Sequence, residues 1–183
     1  VLHYNNEGDP VGSGGLGATD QLPGSGTGSR PRLQDLWALG EAQEFVHVSP
    51  AVFGTFVWPY QKAILEKFGL SCYGCCEPLD GRYRFIKELG NLRRVSVSPW
   101  ADQREAASEL GKDYIFSRKP NPALLAGTRP PSEAEIRADL SATLDAARDC
   151  VLEIVMKDTH TFQGDPSRIS LWSRVATDMA RAA

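Results

Sequence analysis

The sequence predicts an α/β fold in which parallel strands alternate with helices. Three observations predict it. Short strand-forming runs recur along the chain, amphipathic segments with their own caps separate them, and chemistry-bearing residues stand just past the ends of the runs. Strands separated by helices are joined by crossovers that make neighbouring strands parallel.

The elements follow in order. Val1-Leu2-His3-Tyr4 reads as part of a first strand. Residues 7–32 are rich in Gly, Pro, Ser and Thr, lack periodicity and read as one long loop. Its place after a strand makes it an active-site loop, expected to be mobile until substrate binds. Within it, Gly12-Ser13-Gly14-Gly15-Leu16-Gly17 has the glycine spacing of a dinucleotide-binding turn. Asp20 and Pro23 stand where the required helix should open, so these glycines are read as loop.

Ser49-Pro50 is an N-cap with proline in the first turn, and Phe53, Phe56, Val57, Tyr60 and Ile64 then recur at helical spacing. Pro59 inside that pattern predicts a kink or two consecutive helices. Strands are expected at Leu70-Ser71-Cys72-Tyr73, at residues 93–98 and at residues 114–117, with helices over residues 83–89 and 102–110 between them. Ser132 and Glu135 form a capping box ahead of Ile136, Leu140, Leu144 and Ala147, the buried stripe of a further helix. Residues 151–156 form the last strand, and Asp165-Pro166 starts a final helix with Ile169, Trp172, Ala176 and Met179 on one face. With the opening segment this makes roughly five strands. A closed barrel has eight, and an open doubly wound sheet accommodates five equally well.

Composition narrows the function classes. A chain of 183 residues, 42% hydrophobic and 23% charged, suits one globular domain over residues 1–183. A net charge of −3 provides no footprint for nucleic acid or an anionic membrane. No apolar run is long enough to span a bilayer and no signal peptide is visible, so a cytoplasmic location is expected. The four cysteines are too few and too clustered for a disulfide framework.

In either parallel architecture the site lies beyond the carboxyl ends of the strands. Those ends carry Asn5 and Asn6, then Cys75, Cys76 and Glu77, then Ser98 and Trp100, then Arg118 and Lys119, then Asp158 and His160. Thiolates and imidazole suit zinc, and a catalytic zinc takes three protein ligands with one position open. Cys75 with Cys76 or Glu77, plus His160, would supply three. Cys72 and Cys150 read as small apolar packing residues. His160 is a proton donor or ligand, Asp158 orients it or binds substrate, and Glu77 adds an acid to the same mouth. Arg118 and Lys119 suit a carboxylate or phosphate, and Asn6, Ser98 and Trp100 complete the substrate side.

Asp35-Leu36-Trp37, then Ser49-Pro50, Phe53, Phe56-Val57 and Pro59-Tyr60, resembles the central signature of uroporphyrinogen decarboxylases. There, an Asp-x-Trp segment precedes a Ser-Pro helix that ends in Pro-Tyr. Asp158-Thr159-His160-Thr161, with Asp165-Pro166 after it, is similar to that family's C-terminal segment, where a histidine lies in the substrate cleft. The resemblance runs from about Asp35 to the end. It implies the C-terminal portion of a TIM (βα)8 barrel, this chain providing roughly the second half and lacking the N-terminal part.

The same superfamily contains zinc-dependent methyltransferases that act on methylated corrinoid proteins. Tyr73-Gly74-Cys75 lies where those enzymes carry His-x-Cys, so Cys75 matches, the histidine does not, and His160 takes the place of their later cysteine. Tyr73-Gly74-Cys75-Cys76-Glu77-Pro78 resembles decarboxylase-like members of the superfamily more closely. The expected function is therefore methyl transfer through a zinc held by Cys75 and His160, with a corrinoid protein or thiol acceptor. The alternatives are a cofactor-free decarboxylase of a porphyrinogen-like polycarboxylate, using His160 and Arg118, and a non-catalytic partial barrel. Open strand edges lead to the further expectation that the isolated chain is inactive and self-associates, as a possible homo-oligomer.

Overall fold

Among the described residues, seven strands form one sheet in the order in which they occur along the chain. The computed structural model describes residues 3–4, 10–12, 22, 32–157 and 159–183. β1 (His3–Tyr4) pairs antiparallel with β2 (Pro10–Gly12), and β2 meets the next strand in parallel, Gly12 against Trp37. From there all pairings are parallel, through β3 (Trp37–Gly40), β4 (Leu70–Tyr73), β5 (Leu92–Val97), β6 (Ile115–Arg118) and β7 (Val151–Ile154). The helices are α1 (Pro50–Phe56), α2 (Trp58–Leu65), α3 (Tyr83–Ile86), α4 (Gln103–Leu110), α5 (Ala123–Ala126), α6 (Glu133–Ala146) and, after β7, α7 (Ser167–Ala182). Among the described strands the order never reverses, so the sheet lacks the switch point of a doubly wound fold.

Two expectations are corrected. Trp37–Gly40, which has no strand signal of its own, is a strand paired in parallel on both sides, while the opening strand pairs antiparallel with Pro10–Gly12. Trp37-Ala38-Leu39-Gly40 lies between flanking strands and is largely buried, so it shows no polar alternation. Residues 7–32 are not one loop, because Pro10–Gly12 is a strand. Apart from that strand, Leu22 and Arg32, the segment and its expected mobility lie outside the described residues.

The local signals act as their chemistry requires. Ser49 accepts a hydrogen bond from the Val52 amide, Asp102 caps α4, and Ser132 and Glu135 close a reciprocal capping box on α6. Pro59 has no amide to donate and crowds the carbonyl four residues back, so the helix breaks at Val57 into α1 and α2. The break divides the apolar pattern. Phe53 and Val57 turn into the core, whereas Phe56, Tyr60 and Ile64 are exposed.

Alternation along the strands gives the sheet two unlike faces. On one face Ala38, Tyr73, Val95, Val97 and Phe116 pack with Phe53, Trp58, Ile86, Ala106 and Leu110 from α1 to α4. Phe53, Trp58, Tyr73 and Phe85 form an aromatic cluster there, with ring centroids 5.6 Å apart between Trp58 and Tyr73 and 5.9 Å apart between Phe53 and Phe85. A second core joins Leu125, Ile136, Leu140, Trp172 and Val175, with Ile154 against it. The other face of the sheet carries Trp37, Cys72, Arg94, Ser96, Ser117, Lys119 and Glu153, a largely polar set that is buried except for Glu153, which is half-buried.

Phe53→Ala should lower stability by about 3–5 kcal/mol, because it empties a fully buried site in the aromatic cluster. Phe56→Ala, on the exposed side of the same helix, should change it by about 0.5 kcal/mol or less. Urea denaturation midpoints of the two variants check this; equal losses would contradict the division of the helix face.

Candidate functional site

The site is built where β4 to β7 end. Gly74, at φ 92, turns the chain after β4 in a conformation that L side chains rarely adopt. A Cβ there would also lie 2.9 Å from Leu79 Cδ1 and 3.1 Å from Ser96 Cβ. The turn is held by Glu77, only 3% exposed, whose carboxylate accepts from the Ala42 amide at 2.8 Å and from the Cys75 amide at 2.9 Å. It thereby ties the loop after β3 to the loop after β4. Ser96 on β5 donates to the Cys75 carbonyl at 2.9 Å. Cys75 is thus fixed through both its backbone groups.

Its side chain meets β7. Lys157, three residues past Ile154, places Nζ 2.8 Å from Cys75 Sγ, and Cys76 Sγ lies 3.5 Å from the same sulfur. Lys119, one residue past β6, donates to the Ser96 hydroxyl. A connected path therefore runs from Lys157 through Cys75 and Ser96 to Lys119. Deeper on the same face, Arg94 grips Glu153 with Nε 2.8 Å from Oε1 and Nη2 3.1 Å from Oε2, and Ser117 donates to Glu153 at 2.6 Å. The Arg94 guanidinium also stands 5.3 Å from the centre of the Trp37 ring.

The electrostatics are set by burial. Burial lowers the Lys119 pKa; the charges of Cys72, Cys75 and Glu153 oppose that shift, and Lys157 adds to it. Burial also pushes the Cys72 thiol up to about 11, which suits a packing residue rather than a reactive one. Glu77 is engaged by backbone amides, and Glu153 by Arg94 and Ser117. The mouth therefore presents two ammonium groups and two thiols, an arrangement suited to an anionic molecule.

The structure treats the expected site residues unequally. Cys75, Cys76 and Lys119 belong to the cluster. Glu77, expected as a catalytic acid or ligand, instead positions the Cys75 loop. Arg118 points to the helix side, where it bonds Thr143 at 3.3 Å and pairs with Asp139 at 3.6 Å, because strand alternation sends it opposite to Lys119. Ser98 accepts from the Trp100 amide at 3.1 Å, while Trp100 and His160 are exposed. Asn5, Asn6 and Asp158 lie outside the described residues. Cys72 packs beside Trp37, and Cys150 against the main core.

Among the described residues, no group of three His, Cys, Asp or Glu side chains is arranged to hold a metal ion. With Glu77 turned to the backbone and Lys157 against the Cys75 sulfur, the described donors do not fit a zinc centre as they stand. Nor is any described helix long and apolar enough to cross a membrane.

The sequence reading missed Lys157, Glu153, Arg94 and Ser96. Period-two counting carries the signal: Glu153, Val155 and Lys157 fall on one side of the last strand and its extension, as do Arg94 and Ser96 on β5. A polar side chain in a strand otherwise apolar on that face marks the inner face. Comparison with protein-family models, curated proteins and solved structures finds no match to the chain.

Lys119 generates a stability prediction. Its folded pKa lies below the ordinary 10.5, so between the two values the unfolded chain binds more protons and stability rises with pH. The contribution is complete above 10.5 and is lost as pH falls through the folded value. Lys119→Met should flatten that slope and leave stability at neutral pH unchanged or higher, since it removes a buried charge. Denaturant melts from neutral to alkaline pH check this, and a marked loss at neutral pH would contradict it.

Proposed function

We propose that the chain is the C-terminal part of a (βα)8-barrel enzyme of the uroporphyrinogen decarboxylase superfamily, and that its mouth binds a small polycarboxylate on Lys119 and Lys157. The barrel reading is supported by the sequential, all-parallel order of β3 to β7 and by the motif resemblance from Asp35 onward. The substrate class is carried by one observation. Two lysines share the strand-end mouth, Lys119 on the Ser96 hydroxyl and Lys157 beside the Cys75 sulfur. An ammonium in a partly desolvated site is an effective point-charge partner for a carboxylate.

The chemistry this set suits is decarboxylation without a metal. The bond from the substrate carbon to its carboxylate breaks, carbon dioxide leaves, and the electron pair stays on the carbon. Cys75 supplies the proton: its S–H bond breaks, a C–H bond forms, and Lys157 balances the charge left on sulfur. Lys119 holds a neighbouring carboxylate. The two lysines take the parts the sequence assigned to Arg118 and His160. No step is routed through zinc, and a corrinoid partner is not needed.

Uroporphyrin, a polycarboxylate porphyrin, is a suitable probe, its fluorescence titrated with the chain. Lys119→Met and Lys157→Met should each weaken binding about 10- to 100-fold, the effect of losing a charged hydrogen bond of about 1.5–3 kcal/mol. No binding by the parent chain, or equal affinity in all three proteins, would sink the polycarboxylate reading. One zinc per chain retained through dialysis, and lost in Cys75→Ala, would favour the methyltransferase reading instead.

A further inference from the structure

We propose that Cys75 and Cys76 form a peroxide-responsive modification site, which closes reversibly into a disulfide between adjacent residues. The inference goes beyond the substrate reading and stands on the geometry of two sulfurs and one ammonium. Cys75 Sγ has Lys157 Nζ at 2.8 Å and Cys76 Sγ at 3.5 Å. Cys75 is 6% exposed, enough for a molecule as small as hydrogen peroxide, and Cys76 is half-buried.

The first step is attack of the Cys75 sulfur on one peroxide oxygen. The O–O bond breaks, an S–O bond forms, and the departing hydroxide takes the thiol proton and leaves as water. Sulfur is oxidised by two electrons to a sulfenic acid, and peroxide is reduced. Lys157 stands where it compensates negative charge on the sulfur as the proton departs. In the second step the Cys76 sulfur attacks the sulfenic sulfur, an S–S bond forms, and the sulfenic oxygen leaves as water with the Cys76 proton. Two thiols and one peroxide thus give one disulfide and two waters.

Reversibility follows from chain geometry. Adjacent Cα atoms are about 3.8 Å apart across a trans peptide. Bridged cysteines usually keep their Cα atoms about 4.4–6.8 Å apart. A disulfide between neighbours is therefore strained, and strained disulfides are the readily reduced, regulatory kind. Bond formation brings the sulfurs from 3.5 Å to about 2.05 Å and consumes the thiol that Lys157 contacts. Oxidation would then take the thiol out of the mouth and alter the position of the lysine beside it.

Mass spectrometry of the chain after equimolar hydrogen peroxide tests this. The peptide spanning Cys75 and Cys76 should lose two hydrogens and recover them with dithiothreitol, and Cys72→Ala should leave that pattern intact. Cys76→Ser should stop at a sulfenic acid that dimedone traps on Cys75, and Lys157→Met should slow the reaction about tenfold. Oxidation of Cys150 ahead of Cys75 would overturn the proposal. So would irreversible oxygen addition without a disulfide, or an unchanged rate in Lys157→Met.

Discussion

Lys157 and Cys75 are 82 residues apart in sequence and three strands apart in the sheet, and their contact at 2.8 Å constrains everything around them. Neighbouring strands are about 4.8 Å apart, so three steps across a flat sheet amount to about 14 Å. A lysine and a cysteine close that gap only if the sheet curls toward the face that carries them. Arg94 and Glu153 make a related crossing deeper in the sheet, from β5 over β6 to β7. The polar face is therefore concave. Curvature turns side chains on separate strands into one cluster, and every strand from β4 to β7 contributes to it at its carboxyl end.

Burying charge on a concave face is costly, and the way the cost is met separates framework from site. Arg94, Glu153 and Ser117 satisfy one another, so they hold β5, β6 and β7 together without offering a vacant partner to a ligand. Glu77 likewise has both oxygens engaged by backbone amides. Lys119 is different. It is buried, its pKa is lowered by that burial, and its hydrogen bond goes to a neutral hydroxyl. A group held at such a disadvantage beside a second lysine and a thiol is better explained by ligand binding than by stability.

Legibility in the sequence followed the range of the interaction. Caps and the Pro59 break are local, depend on residues within a few positions of one another, and are in the structure as the sequence indicates. Strand β3 was hidden because burial among neighbouring strands erased the alternation that marks a strand. At the site, the order of residues along the chain indicates which strand ends carry polar and thiol side chains, and Cys75, Cys76 and Lys119, named on that ground, lie in one cluster. It did not show which way each side chain points. Arg118 and Lys119 are adjacent, yet alternation sends one to the helices and the other to the mouth. Lys157 was missed because only the curl of the sheet brings it to Cys75, and curvature has no local signature.

Proximity of β4 and β7 across the inner face is the premise of the site, and disulfide trapping measures it directly. In a chain carrying Cys76→Ser and Lys157→Cys, mild oxidation should join position 157 to Cys75, detected as a cross-linked peptide pair without reductant. Rapid, near-complete cross-linking at low protein concentration is the result this account predicts. Failure to cross-link, or bonding of position 157 only between separate molecules, would mean the sheet does not curl and that Cys75 and Lys157 do not share a site.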